Sequence, residues 1–258
     1  MPNLVLYHVA ERIATITISR PEKRNALNPQ LISELTENFI RASEDDDVKV
    51  VILNAVGGVF SAGADLEYLQ QLRYNTFEEN VADSNNLKKL FTTIYYLPKV
   101  VIAQVEGHAI AGGCGLATIC DIVFATPESN FGYTEVKIGF VPAIVSCFLK
   151  QKVNETIAKE LLLTGKIFSA EKALEYKLIN FVTNSEEIHQ TVKEFALSLC
   201  KESSGNSLMI TKQLITQTTN PLLEKSLEFA IQINARVRES EDFKKGIASF
   251  LNKEKINW

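Results

Sequence analysis

Three nearly continuous apolar runs, at residues 48–56, 99–105 and 119–125, constrain this chain more than any other feature. Strands that are apolar at successive positions, rather than at every second one, need cover on both faces. Parallel sheets flanked by helices supply that cover. Helical patterns separate the runs, the longest at 78–96, so the alternation predicts an α/β fold with parallel strands. The first two runs each lead into a glycine-bearing turn, and the third stops before Thr126-Pro127-Glu128-Ser129.

Residues 4–7 and 13–18 read as the two arms of an opening hairpin around a turn at Ala10-Glu11-Arg12. Leu31, Ile32, Leu35, Phe39 and Ala42 then recur at helical spacing, with Asn28 as N-cap and Pro29 in the first helical position. From about residue 185 the strand signals end and helical patterns run to Leu251, broken at Ser203-Ser204-Gly205-Asn206. The expected organisation is an α/β core over 1–184 followed by a helical region over 185–258. With 258 residues, 46% of them hydrophobic, a sizeable core is expected.

A formal net charge of -4 leaves no field that favours nucleic acid or an anionic membrane surface. No basic stretch leads into an apolar segment at the start, and no apolar run is long enough to span a bilayer, so a cytoplasmic location is expected. Cys114, Cys120, Cys147 and Cys200 form no CxxC pair and no ligand spacing with His8, His108 and His189. They read as reduced core residues, and no metal site is expected.

Two glycine turns follow buried-type strands: Gly57 to Leu66, containing Ala62-Gly63-Ala64-Asp65, and Gly107 to Ala117, containing Ala111-Gly112-Gly113-Cys114-Gly115. The second opens a helix, whose first N–H groups are unpaired and favour negative charge. Two such turns at neighbouring strand ends could aim two backbone N–H donors at one oxygen, as a thioester carbonyl becoming an enolate requires. Read singly, either also fits a tight turn or a close packing contact. A dinucleotide-binding reading is weaker, because the final glycine of that fingerprint is missing and no such turn follows the first strand.

Taken together, Arg20-Pro21-Glu22-Lys23-Arg24-Asn25-Ala26-Leu27-Asn28, Phe60-Ser61-Ala62-Gly63-Ala64-Asp65, the turn at 111–117, Cys120-Asp121 and the segment from Glu135 to Pro142 resemble the crotonase (enoyl-CoA hydratase/isomerase) superfamily in order and spacing. The resemblance extends through Leu163-Thr164-Gly165 and 170–173 to Phe250 and Lys253. It implies a spiral of ββα units with a C-terminal helical trimerisation region, assembling as a homotrimer or homohexamer. It also implies an oxyanion hole from the N–H groups of Ala64 and Gly112. The resemblance further implies coenzyme A contacts at Arg24, Ala26, Ala62, Gly63, Asp65, Leu66, Gly113, Gly115, Pro142, Phe250 and Lys253. Coenzyme A would be part of the substrate, and no separate cofactor is implied. Asp65 and Asp121 are expected in structural roles, since a carboxylate aimed at a developing enolate would oppose it.

Hydratases of this family resemble one another in carrying two glutamates, at the positions held here by Gly115 and Glu135. Only Glu135 is retained. One glutamate could take a proton from water and return it to the α carbon, and it could equally shuttle a proton in double-bond isomerisation. The glycine is expected to vacate space for a larger or charged acyl group. The patterns at 80–83, 96–99 and 235–238 resemble bacterial methylglutaconyl-CoA hydratases. Hydration of a branched enoyl-CoA is therefore the leading expectation, with an enoyl-CoA isomerase and a catalytically silent acyl-CoA-binding protein as alternatives.

Overall fold

The computed structural model describes residues 3–219, 222–256 and 258. β1 (Val5–Ala10) and β2 (Ile13–Ile18) form the antiparallel hairpin, and Glu11 and Arg12 make its turn with φ of 52° and 67°. α1 (Pro29–Glu44) follows, with the Asn28 side chain accepting from the Leu31 N–H at 2.8 Å.

A strand–strand–helix unit then repeats. β3 (Val50–Ala55) and β4 (Val59–Ser61) lead to α2 (Leu66–Leu72) and α3 (Phe77–Tyr95). β5 (Val100–Val105) and β6 (His108–Ile110) lead to α4 (Gly112–Thr118), and β7 (Ile122–Ala125) and β8 (Asn130–Gly132) lead to α5 (Ala143–Lys152). The first strand of each unit joins one sheet and the second strand the other. With α6 (Glu155–Thr164), β9 (Ile167–Ser169), α7 (Ala170–Glu175) and β10 (Phe181–Val182), the sheet orders are β1-β2-β3-β5-β7-β10 and β4-β6-β8-β9. From β2 to β10 every pairing in the larger sheet is parallel.

The continuous apolar runs have a direct cause. Val51, Leu53, Val101, Ala103 and Val123 point into the main core, whereas Val50, Ile52, Ile102 and Phe124 point the other way onto Ile188, Val192 and Ala196 of α8 (Ile188–Glu202). Each run feeds two layers, so apolar residues occupy successive positions. The third run is shorter as a strand than expected. Ile119 and Cys120 close α4, and β7 begins only after Asp121, whose carboxylate accepts the Val101 N–H at 2.7 Å and the Lys212 ammonium at 2.7 Å.

The C-terminal helices are α8, α9 (Gly205–Thr219), α10 (Leu223–Glu239) and α11 (Glu241–Leu251). The break between α8 and α9 narrows to Ser203 and Ser204, since Gly205 already starts the next helix. α10 packs on α3 and α5, and Leu223, Leu227 and Ala230 enter the main core. All four cysteines are free thiols. No helix among the described residues is long and apolar enough to cross a membrane.

Candidate active site

A cavity of about 930 Å³ opens where the turn after β4, the turn after β6, the Glu135 segment and α10–α11 meet. Its wall includes Ala62, Ala64, Asp65 and Leu66 from the first turn, Ile110, Ala111 and Gly112 from the second, and Glu135 beside Pro142. Arg24, Ala26 and Phe250 also line it. Gly63, Gly113, Gly115 and Lys253 do not.

The two turns are in contact. A Cβ on Gly63 would stand 3.0 Å from Ala111 Cβ, and one on Gly113 would stand 2.6 Å from both the Cβ and the carbonyl oxygen of Ser61. Gly63 and Gly113 let two backbones meet, and neither lines the cavity. Gly63 O accepts the Leu27 N–H at 2.7 Å, and Leu27 O accepts the Asp65 N–H at 2.8 Å. Because a trans peptide points its N–H opposite its C=O, the Ala64 N–H is turned away from Leu27. On the second turn, Ala111 O accepts the Gly115 N–H at 3.1 Å, which leaves the Gly112 N–H unpaired at the start of α4. Among the described residues neither the Ala64 nor the Gly112 N–H has an acceptor.

Ala111 sits at φ 50° and ψ -124°, a conformation that side-chain-bearing residues rarely adopt. Such strain costs about 1–3 kcal/mol and persists only where surrounding structure enforces it. Here it sets the direction of the next peptide, which carries the Gly112 N–H. Nothing in the composition of the turn marks alanine for this conformation, so the sequence reading missed it.

The segment 20–28 clamps the first turn. Asn25 is fully buried, accepts the Arg20 N–H at 2.8 Å, and donates to the carbonyls of Val56 and Val59 at 2.8 and 2.7 Å. Arg20 donates to Ala26 O at 2.9 Å and meets Asp65 at 2.5 Å as a charge contact, not a directed hydrogen bond. Asp65 also caps α2, its carboxylate accepting the Glu67 and Tyr68 N–H groups. Its charge is thus committed to holding Ala64 in place. Lys253 lies on the exposed tail after α11, outside the wall.

Glu135 opens a short 3-10 turn, Glu135–Ile138, closed by Gly139 in the left-handed conformation. The Glu135 carbonyl accepts the Phe140 N–H at 3.0 Å, and α11 presses on the same turn, where a Cβ on Gly246 would stand 2.2 Å from Ile138 O. The Glu135 side chain is 6% exposed and its Oε2 has no hydrogen-bond partner. Burial pushes its pKa up to about 7, partly opposed by a backbone hydrogen bond. A carboxyl of that pKa exchanges a proton readily in either direction near neutrality.

Gly115 does not leave room for the acyl group. A Cβ there would stand 2.3 Å from Val145 Cγ1 and 3.1 Å from the Phe91 ring, so the space is already filled by α5 and α3. Periodicity could not reveal this, because Val145 meets Gly115 across helices far apart in sequence. A polar group missed by the sequence reading does reach the cavity: Tyr68, Asp83, Asn234 and Arg238. Tyr68 donates to Asp83, and Arg238 pairs with Asp83 at 2.7 Å.

An enoyl-CoA hydratase/isomerase family model matches residues 8–258. A Thermus thermophilus protein named "Putative enoyl-CoA hydratase" is 39% identical over 241 residues, spanning 93% of this chain and 95% of that one. A short-chain-enoyl-CoA hydratase of Clostridium acetobutylicum is 31% identical over 256 residues, spanning 98% and 97%. The crystal structure of an enoyl-CoA hydratase from Mycobacterium avium aligns with a TM-score of 0.88 at 32% identity, covering 100% of both chains. With a repeated strand–strand–helix core and a match along nearly its whole length, the chain belongs to the enoyl-CoA hydratase/isomerase family of the crotonase superfamily.

Proposed function

We propose that the protein is an enoyl-CoA hydratase with Glu135 as its acid and base. One observation carries the reading: a buried carboxyl with a free Oε2 and a pKa of about 7 lines the same cavity as two unpaired backbone N–H groups. The thioester oxygen would accept from Ala64 and Gly112, which lowers the energy of the enolate formed when water attacks the β carbon. Glu135 takes a proton from that water as its oxygen bonds to the β carbon, then delivers the proton to the α carbon. Water is consumed, the double bond is saturated, and Glu135 returns to its starting state.

The substrate we propose is a branched enoyl thioester such as 3-methylglutaconyl-CoA. Coenzyme A enters as part of it, with no separate cofactor, and Arg24, Ala26, Leu66 and Phe250 are the residues of the wall placed to meet it. A homotrimer or homohexamer in the cytoplasm is part of the same proposal. Exposed Ile210 and Leu214 on α9 and Phe229 on α10, 44%, 60% and 69% accessible, support burial against further copies of the chain.

A second reading, isomerisation of a 3-enoyl-CoA to its conjugated isomer, is favoured by the Val145 side chain over Gly115, which denies the site a second carboxyl there. Glu135 would then remove a proton from the α carbon and return one to the γ carbon. Purified protein offered crotonyl-CoA, 3-methylglutaconyl-CoA and a 3-enoyl-CoA separates the two by conjugated-thioester absorbance. Loss of absorbance on a 2-enoyl substrate is the expected result. Activity confined to the 3-enoyl substrate identifies the isomerase, and inactivity on all three contradicts both.

A further inference from the structure

The cavity is mostly apolar, yet one part of its wall carries a buried cation. Arg238 on α10 is 4% exposed; its Nη1 lies 2.7 Å from Asp83 and donates to Asn80 Oδ1 at 3.3 Å. Its Nε has no partner. One helical turn earlier Asn234, 3% exposed, also lines the cavity and carries an unpartnered Oδ1. A binding wall for a plain alkyl chain has no use for these groups, because burying a guanidinium and leaving a donor unpaired are both unfavourable.

The cluster lines the same cavity as Glu135 and touches the segment that carries it. The Arg238 guanidinium sits over the Phe140 ring, 5.4 Å from its centroid, and the Phe140 N–H bonds to the Glu135 carbonyl. Arg238 and Glu135 line one cavity, so a thioester whose reacting carbons meet Glu135 can extend its acyl end toward Arg238. Guanidinium presents five donors in a planar fork, so holding Asp83 and Asn80 through Nη1 leaves donors on its other nitrogens for a second acceptor.

We propose that Arg238 is a specificity-determining residue that receives a carboxylate on the acyl group, making CoA monothioesters of dicarboxylic acids the preferred substrate class. The proposal rests on the acyl-CoA reading above. Asp83, held by Tyr68, is a positioning residue: it neutralises and orients Arg238 while the cavity is empty, and it competes with the incoming carboxylate.

Calorimetric titration of the full chain with glutaryl-CoA, valeryl-CoA and 5-hydroxyvaleryl-CoA tests this with saturated thioesters of equal carbon number. Glutaryl-CoA is expected to bind roughly tenfold tighter than the other two, the advantage of one charge-assisted pair. Asp83→Asn should tighten glutaryl-CoA several-fold and leave valeryl-CoA unchanged, a gain that a merely structural role would not produce. Because Arg238→Met alone strands the Asp83 charge, it is combined with Asp83→Asn. That double variant should bind all three thioesters alike. Equal binding of glutaryl- and valeryl-CoA by the unaltered protein, equal binding of the hydroxyl analogue, or a preference surviving in the double variant would overturn the proposal. Binding of none of the three more tightly than free CoA would instead overturn the acyl-CoA reading, and the proposal with it.

Discussion

Val145 stands over Gly115, its Cγ1 2.3 Å from where a β carbon on that glycine would lie. The pair fills with hydrocarbon the position where the family resemblance implies a second glutamate, so its absence is built into the packing. Gly115→Glu alone should not create a two-carboxylate site. Overpacking against Val145 and Phe91 should lower stability by about 1–3 kcal/mol without raising turnover. Combining it with Val145→Ala should relieve the clash and recover part of that stability. Denaturant unfolding of both variants checks the order, and an unchanged midpoint for the single variant would contradict the packing account.

The Glu135 carboxyl, raised from 4.5 to about 7 by burial, links stability to pH. Its folded-state pKa lies above the unfolded value, so between these values the native state holds more protons. The contribution is fully present below about pH 4.5 and is lost as pH rises through about 7. Wild-type protein at pH 8 should be less stable than at pH 5 by on the order of 3 kcal/mol from this group, while Glu135→Gln should not show that component. Urea unfolding of both at the two pH values measures the difference. Turnover that depends on the carboxylate should rise with pH through about 7.

Ala111 holds a conformation suited to glycine, and the direction of the Gly112 N–H depends on it. Ala111→Gly should relieve strain and gain about 1 kcal/mol, while freeing the turn and lowering kcat several-fold. Thermal unfolding and steady-state kinetics on one preparation test the opposed signs. A rise in both stability and kcat would show that the strain serves nothing in the site.

Gly246 lies in the middle of α11, where helix propensity alone favours alanine by about 1 kcal/mol. A β carbon there would meet Ile138 O at 2.2 Å, within the turn that carries Glu135. Gly246→Ala should therefore destabilise the protein and reduce kcat, because α11 must move off that turn. Increased stability would indicate that the α11 contact is not tight.

Much of the fold could be read from the chain because single elements declare themselves. Strands that feed two apolar layers give runs such as 50–53, and Asn28 with Pro29 marks the start of α1. Both glycine turns of the candidate site show as short local patterns, whereas Glu135 is marked only by the resemblance of its segment to the family. What escaped was relational. The Tyr68–Asp83–Arg238 cluster joins α2, α3 and α10, and the Val145–Gly115 contact joins α5 to α4. No local spacing encodes such meetings. Asn25, visible only as part of a motif, proves to be the stitch between β3 and β4.

The central claim is that one buried carboxyl moves the proton. Its most direct test is kcat of Glu135→Gln on the best substrate of the enoyl-CoA panel, measured beside calorimetric binding of a saturated acyl-CoA. Turnover should fall about 100-fold or more while the thioester binds within a few-fold of wild type, since the change removes a proton carrier and almost no contact area. Turnover close to wild type, with binding equally intact, would contradict the account.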